Sequence, residues 1–187
     1  ALDGIYDESV RRSFQALAEL SPARYAKTEL WTELLRTLVA PAEGAVDPKA
    51  AADFAVGVAA ALGGKSAEAI LDFEQMEQHY PTLAEPSINL AIVQRGAGNL
   101  EAAAAALQRA TERSPDYAVA WNELALVRRA QGKFTDARTG YAKAIALDGS
   151  YAPAHRNLGV LFDLYLADPT AALAEFEQYR KLTGEDK

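Results

Sequence analysis

The sequence contains no cysteine and, among its 187 residues, only two histidines, His79 and His155. The absence of cysteine excludes disulfides, thiolate metal sites and a cysteine nucleophile. No HExxH, nucleophile-elbow or CxxC spacing is present to organise a metal ion or a nucleophile. We therefore expect a protein that is not an enzyme and that binds neither a cofactor nor a metal ion.

Long apolar runs and an excess of positive charge are also lacking. The longest nearly apolar stretch, residues 54–62, is far shorter than the ~20 residues that a membrane-spanning helix requires. The net charge of -7 opposes attraction to phosphate backbones, which proteins bind mainly through Lys and Arg. We expect neither a nucleic-acid partner nor insertion of this chain into a membrane.

What the sequence does contain is an internal repeat with a spacing of 34 residues. Ser-Ile-Asn-Leu-Ala at 87–91 matches Trp-Asn-Glu-Leu-Ala at 121–125, and segments 53–57 and 155–159 continue the spacing in both directions. Half of the residues are hydrophobic, which is enough for a sizeable core. The spacing predicts four units of two helices each, at roughly 50–83, 84–117, 118–151 and 152–187.

Three positions recur in these units at helical spacing. Where close helix contact leaves no space for a large side chain, the first helix carries Gly57, Ala91, Ala125 and Gly159. The second helix carries an alanine and, four residues later on the same helical face, a large residue. These pairs are Ala69 with Phe73, Ala103 with Leu107, Ala137 with Tyr141, and Ala172 with Phe176.

Glycine and proline occur at the expected helix ends, since proline lacks an N–H and glycine accepts left-handed dihedrals. The glycines between paired helices are Gly64, Gly98 and Gly132, and the helix pairs are followed by Pro81, Pro115 and Gly149. The fourth unit lacks the glycine. There, Asp168 as N-cap and Pro169 as the first helical residue predict the start of the second helix.

These units resemble the tetratricopeptide repeat, whose pattern runs W-x2-L-G-x2-Y, then A-x3-F, then a late proline. The resemblance covers about three quarters of the chain and implies an all-α fold, an α-α superhelix of about four helix-turn-helix repeats. The first 49 residues do not fit the pattern, and two apolar stripes there predict two helices that form an N-terminal cap or a degenerate repeat. We therefore expect two regions, 1–49 and 50–187.

Two features that suggest chemistry are better explained by structure. Residues 63–66 read Gly-Gly-Lys-Ser, like the end of a phosphate-binding loop, but Ala59 occupies the place of the required glycine, which favours a turn. His155 stands where the family usually has tryptophan, and we expect it to be a packed structural residue.

The resemblance also implies that the first helix of each unit lines a concave groove in which a partner segment binds. Apolar side chains there would hold a partner's anchors, and asparagines would bind peptide groups. The positions that the family turns inward are Phe54, Val58, Ile88, Asn89, Ile92, Arg95, Asn122, Leu126, Arg129, Arg156, Asn157 and Val160. An alternative remains open, in which residues such as Ile88 and Leu126 only pack between adjacent helices.

The three arginines of this set, Arg95, Arg129 and Arg156, predict a basic strip within an acidic protein. Arginine is suited to bidentate contacts with carboxylates. An acidic or amphipathic segment of a protein is therefore the expected partner.

We interpret the sequence as a non-catalytic adaptor, and the alternative is a regulatory or sensor domain of a longer enzyme or signalling protein. Alanine-rich arrays that follow a non-repeat helical block are similar to bacterial repeat proteins of envelope machinery, such as pili, secretion systems or surface motility. The chain begins at Ala1 without a basic-then-apolar leader, which predicts a processed form or a segment of a longer protein. These features favour a periplasmic or envelope-associated location over a cytoplasmic one. The partner's identity and the oligomeric state stay open.

Overall fold

The computed structural model describes residues 48–184, and this part of the chain forms eight α-helices and no β-strand. The predicted all-α fold class is confirmed for these residues. The two helices predicted for the N-terminal region fall within residues 1–47, outside the described part. The helices are α1 (Pro48–Leu62), α2 (Ser66–His79), α3 (Glu85–Gly96), α4 (Leu100–Arg113), α5 (Ala118–Ala130), α6 (Phe134–Leu147), α7 (Ala152–Leu164) and α8 (Pro169–Thr183).

Consecutive helices pack in pairs, α1 on α2, α3 on α4, α5 on α6 and α7 on α8. Short turns at 63–65, 97–99 and 131–133 join the helices of the first three pairs, so the paired helices run antiparallel. The second helix of each pair also contacts the first helix of the next pair. Residues 48–184 are therefore one continuous stack of helical hairpins.

Glycines form the turns inside the first three hairpins. Gly64, Gly98 and Gly132 have φ of 76°, 83° and 76°, in the left-handed region that side chains with a Cβ disfavour. The N–H of Gly64 donates to the carbonyl of Ala61 at 2.9 Å. Residues 63–65 are therefore a helix-ending turn, and α2 begins at Ser66, as the sequence predicts for the Gly-Gly-Lys-Ser segment.

The fourth hairpin uses an N-cap instead. The carboxylate of Asp168 accepts a hydrogen bond from the N–H of Ala171 at 3.0 Å, and Pro169 is the first residue of α8. The cap satisfies a backbone donor that a helix start otherwise leaves without a partner. This confirms the predicted start of the second helix in the fourth unit.

Small residues of the first helices meet large rings of the second helices. A Cβ on Gly57 would lie 2.8 Å from Cε1 of Phe73, and one on Gly159 would lie 2.7 Å from Cε1 of Phe176. Such distances are shorter than van der Waals contact, so only glycine fits there without a shift of the ring. The core that joins the third and fourth units contains Ala125, Ala137, Tyr141, Leu158 and Leu161.

A polar cluster around Glu77 joins the first two units. The carboxylate of Glu77 on α2 accepts hydrogen bonds from Arg109 at 2.8 and 3.1 Å and from Arg113 at 3.0 Å, both on α4. Ser87 on α3 donates to the same carboxylate and accepts from Arg113. Three helices from two units are therefore tied to one carboxylate.

His155 at the start of α7 is buried and has a structural role. Its Nδ1 lies 2.7 Å from a carboxylate oxygen of Glu175 on α8, and its Nε2 lies 3.2 Å from the carbonyl oxygen of Gly149. The imidazole thus bridges the end of the third unit and both helices of the fourth. This agrees with the expectation of a packed histidine at this position.

Candidate functional site

The first helices of units two, three and four contact one another, because α3 touches α5 and α5 touches α7. They form a layer that is distinct from the layer of second helices. Every residue that the sequence predicts to line a groove lies on α1, α3, α5 or α7. We call this layer of α3, α5 and α7 the first-helix layer.

The predicted groove residues differ widely in exposure. Arg156 is exposed. The partly buried residues are Phe54, Arg95, Leu126, Arg129, Asn157 and Val160, and the buried ones are Val58, Ile88, Asn89, Ile92 and Asn122. Ile88 is 1% exposed and Leu126 packs against the core between units three and four, so both contribute to helix packing. Their assignment to a groove stays a prediction.

A chain of four polar side chains runs through the first-helix layer. Nη2 of Arg95 on α3 lies 3.4 Å from Oε2 of Glu123 on α5, whose Oε1 accepts from Nδ2 of Asn122 at 3.1 Å. Oδ1 of Asn122 accepts from Nδ2 of Asn157 on α7 at 3.0 Å. The structure therefore brings together three predicted residues and Glu123, and their hydrogen bonds link three repeats.

These contacts alter the predicted basic strip of Arg95, Arg129 and Arg156, because one of the three arginines is paired with a carboxylate. The charge of Arg95 is offset by Glu123, whose side chain is only 10% exposed. Arg129 remains without a carboxylate partner among the ion pairs of the described residues, and its guanidinium carbon lies 5.9 Å from the ring centre of Tyr165. Of the three predicted arginines, Arg129 and the exposed Arg156 thus keep a positive charge that no carboxylate of the described ion pairs offsets.

Several buried polar atoms on or beside this layer have no hydrogen-bond partner. They are both amide atoms of Asn89, Oε1 of Gln94, Nη1 of Arg129 and the hydroxyl of Tyr141. Burying a polar atom without a partner is costly, and such groups are few in folded proteins. These atoms are therefore the strongest signals for ligand contacts in the described part of the chain.

Sequence reasoning missed Glu123, the hydroxyl of Tyr141 and the ring of Tyr165. The repeat spacing does give a signal for Glu123. This residue stands 34 residues from both Asn89 and Asn157 and has a carboxylate where they have an amide. Tyr141 was predicted as a large packing residue, and its burial agrees with that, but its hydroxyl is a polar group inside the core.

Among residues 48–184, no group of three or more His, Asp or Glu residues is placed to hold a metal ion. None of the eight helices combines the length and the apolar character that a membrane span needs.

Comparison with known proteins identifies the type of repeat. A family model described as tetratricopeptide repeat matches residues 88–155, from α3 into α7. Residues 88–155 therefore carry tetratricopeptide repeats. The family predicted from the sequence is thereby confirmed, and α1, α2 and α8 extend the array of helical hairpins on either side of the match.

Solved structures of tetratricopeptide-repeat (TPR) proteins share this fold. A crystal structure of MamA is similar with a TM-score of 0.62 and 23% sequence identity, covering 69% of this chain and 75% of that chain. The Sgt2 TPR domain from Aspergillus fumigatus has a TM-score of 0.59 and 25% identity, covering 66% of this chain and 83% of its own. The first TPR of Spaghetti (RPAP3), solved bound to the HSP90 peptide SRMEEVD, has a TM-score of 0.59 and 21% identity, with coverage of 65% and 97%. No curated protein sequence matches this chain significantly.

Proposed function

We propose that this protein is a non-catalytic adaptor that binds a segment of a partner protein against its first-helix layer. The TPR fold supports this proposal, since one of the similar structures holds a peptide. The observation that carries it is the side chain of Asn89 on α3. This amide is buried, and neither its Oδ1 nor its Nδ2 has a hydrogen-bond partner.

The two other asparagines of the layer are hydrogen-bonded to each other and provide the contrast. Asn122 accepts from Asn157 and donates to Glu123, so its amide has a structural role. An asparagine amide offers one acceptor oxygen and two donor hydrogens, which are the groups needed to pair with a peptide N–H and C=O. Asn89 therefore supports binding of an extended main chain, with small side-chain movements that open the site.

The proposal is tested by replacing each amide with an apolar side chain of similar size. Asn89→Leu removes two polar atoms that have no partner, so the melting temperature should stay unchanged or rise. Asn122→Leu breaks hydrogen bonds to α7 and within α5, so the melting temperature should fall. Both variants are compared with the wild type by thermal denaturation.

Binding is then measured with a partner captured on the immobilised protein, identified by mass spectrometry and purified. We expect Asn89→Leu to bind this partner less tightly than the wild type although its fold is intact. If Asn89→Leu binds as tightly as the wild type, the Asn89 site is wrong. Turnover by the repurified chain in hydrolase, transferase or redox assays would contradict the non-catalytic part of the proposal.

The proposal extends to the kind of assembly and its location. We propose that the adaptor helps to assemble or stabilise a complex of the bacterial envelope, with a periplasmic or envelope-associated location. Its support is the general resemblance of alanine-rich repeat arrays to envelope repeat proteins. Fractionation of source cells with an antibody against this protein tests it, and recovery only in the cytoplasmic fraction would overturn the location.

A further inference from the structure

Two hydrogen-bond donors on adjacent helices of the third unit are buried without acceptors. They are Nη1 of Arg129, near the end of α5, and the hydroxyl of Tyr141, in the middle of α6. Tyr141 is 0% exposed. The Tyr141 hydroxyl can donate and accept, whereas the guanidinium N–H only donates, so the two groups cannot satisfy each other completely and an external acceptor would satisfy both.

The charges around the Tyr141 hydroxyl favour an acceptor with a single negative charge. The charged side chains that act on this hydroxyl are Arg129, Arg95 and Glu123. Because Arg95 and Glu123 form an ion pair at 3.4 Å, one positive charge is left, that of Arg129. Burial raises the pKa of the Tyr141 hydroxyl, so this group keeps its proton and can donate at neutral pH.

Apolar and aromatic side chains also lie near the two donors. Leu126, Phe134 and Leu166 pack against the core cluster that contains Tyr141. The ring centre of Tyr165 lies 4.9 Å from that of Phe134 and 5.9 Å from the guanidinium carbon of Arg129, and Tyr165 is 45% exposed. An aliphatic stem next to a carboxylate suits such surroundings better than a phosphate with its larger charge. Arg129 itself is partly exposed.

We propose that Nη1 of Arg129 and the hydroxyl of Tyr141 form a subsite for one Asp or Glu side-chain carboxylate of the partner segment. The inference rests on the adaptor function proposed above and names the chemistry that the partner carries. One carboxylate oxygen accepts from Arg129 and the other from Tyr141, which satisfies both buried donors. The negative charge of the carboxylate offsets the unpaired charge of Arg129.

The test uses a blocked glutamate, N-acetylated and C-amidated, and needs no identified partner. The probe is titrated at constant ionic strength while the side-chain Nε–Hε resonance of Arg129 is followed by NMR. Blocked glutamine serves as the neutral isostere. Further arms use inorganic phosphate and N-acetylalanine, whose only charged group is a terminal carboxylate. We expect saturable binding of blocked glutamate that is at least about tenfold tighter than that of blocked glutamine.

The variants separate the subsite from general effects of charge. Tyr141→Phe should weaken binding of blocked glutamate about tenfold without lowering the melting temperature, because the deleted hydroxyl has no partner in the free protein. Arg129→Gln should abolish saturation. Arg128→Gln is the matched control, because Arg128 donates to Gln131 within the same helix end, and its replacement should leave binding unchanged.

Several results overturn the inference. Equal binding of blocked glutamate and blocked glutamine does so, as does tighter binding of phosphate or N-acetylalanine. A loss of stability in Tyr141→Phe without a loss of binding would mean that the hydroxyl is satisfied internally. If the partner responds to Asn89→Leu but blocked glutamate does not bind, only the carboxylate subsite fails and the adaptor function stands. If blocked glutamate binds but Asn89→Leu leaves partner binding unchanged, the Asn89 site fails and the carboxylate subsite stands.

Discussion

A Cβ placed on Gly140 of α6 would lie 2.9 Å from the Cβ of Ala125 on α5, and 3.3 Å from the carbonyl oxygen of Trp121. The neighbouring atoms are a Cβ and a carbonyl oxygen, which cannot rotate away as the flexible end of a side chain can. The contact explains why the third unit needs a small residue at both positions.

Gly140→Ala should therefore destabilise the protein. Overpacking a tight helix contact costs about 1–3 kcal/mol, which exceeds the gain of about 0.5–1 kcal/mol from replacing a helical glycine by alanine. Gly96→Ala is the matched control, because nothing lies within 4 Å of a Cβ at Gly96. It should be neutral or stabilising. Urea denaturation of both variants measures the difference, and equal free energies of unfolding would contradict the close contact.

Glu77 should contribute to stability through its hydrogen bonds with Arg109, Arg113 and Ser87. Glu77→Gln removes the charge that these donors share, and we expect a loss of about 1.5–3 kcal/mol in the free energy of unfolding at pH 7. Glu101→Gln, at an exposed position on α4, is the control and should change it by less than about 0.5 kcal/mol. A loss in Glu77→Gln no larger than that of the control would refute the role of the cluster.

The same carboxylate predicts a dependence on pH. Burial alone would raise the pKa of Glu77, but the hydrogen bonds from Arg109, Ser87 and Arg113 and the charge of Arg109 lower it below its ordinary value of 4.5. A carboxylate with a lowered pKa stabilises the fold above its unfolded pKa, and this contribution is lost as pH falls through its folded pKa. The difference between wild type and Glu77→Gln should thus be full at pH 6 and shrink below about pH 4.5.

The parts of the structure that could be predicted from the sequence are those that repeat. The small residues Gly57 and Gly159 meet rings at Phe73 and Phe176 because each hairpin repeats the same backbone contact, and the 34-residue spacing reveals that contact. The pairing of Glu123 with Arg95 could not be predicted in this way, because Arg95 comes from the preceding unit. Which side chains pair across units depends on rotamers and on the angle between hairpins, and neither leaves a periodic signal.

The N-cap at Asp168 should stabilise the last hairpin. Its carboxylate is hydrogen-bonded to the N–H of Ala171, and Asp168→Ala should cost about 0.5–2 kcal/mol. Asp168→Asn should stay close to the wild type, because asparagine caps helices about as well as aspartate. Asp163→Ala, at an exposed position near the end of α7, is the control. A cost for Asp168→Asn equal to that for Asp168→Ala would show that the charge rather than the cap matters.

The ion pair between Arg95 and Glu123 should respond asymmetrically to loss of either partner. The side chain of Glu123 is 10% exposed and that of Arg95 is 22% exposed. Arg95→Met removes the cation that lies 3.4 Å from the more buried carboxylate, and weakening the compensation of a buried charge is destabilising. Glu123→Gln keeps the shape of the side chain and an oxygen that can accept from Asn122, while the guanidinium of Arg95 can still reach water.

We therefore expect Arg95→Met to lower the free energy of unfolding by about 1–3 kcal/mol and Glu123→Gln by less than about 1 kcal/mol. The double variant should recover part of the loss seen in Arg95→Met, because the carboxylate that lost the nearby cation of Arg95 is gone. Chemical denaturation of the four proteins of this cycle gives the coupling energy. If the two single losses add within about 0.3–0.5 kcal/mol, the two residues are not coupled and the polar chain does not join α3 to α5 energetically.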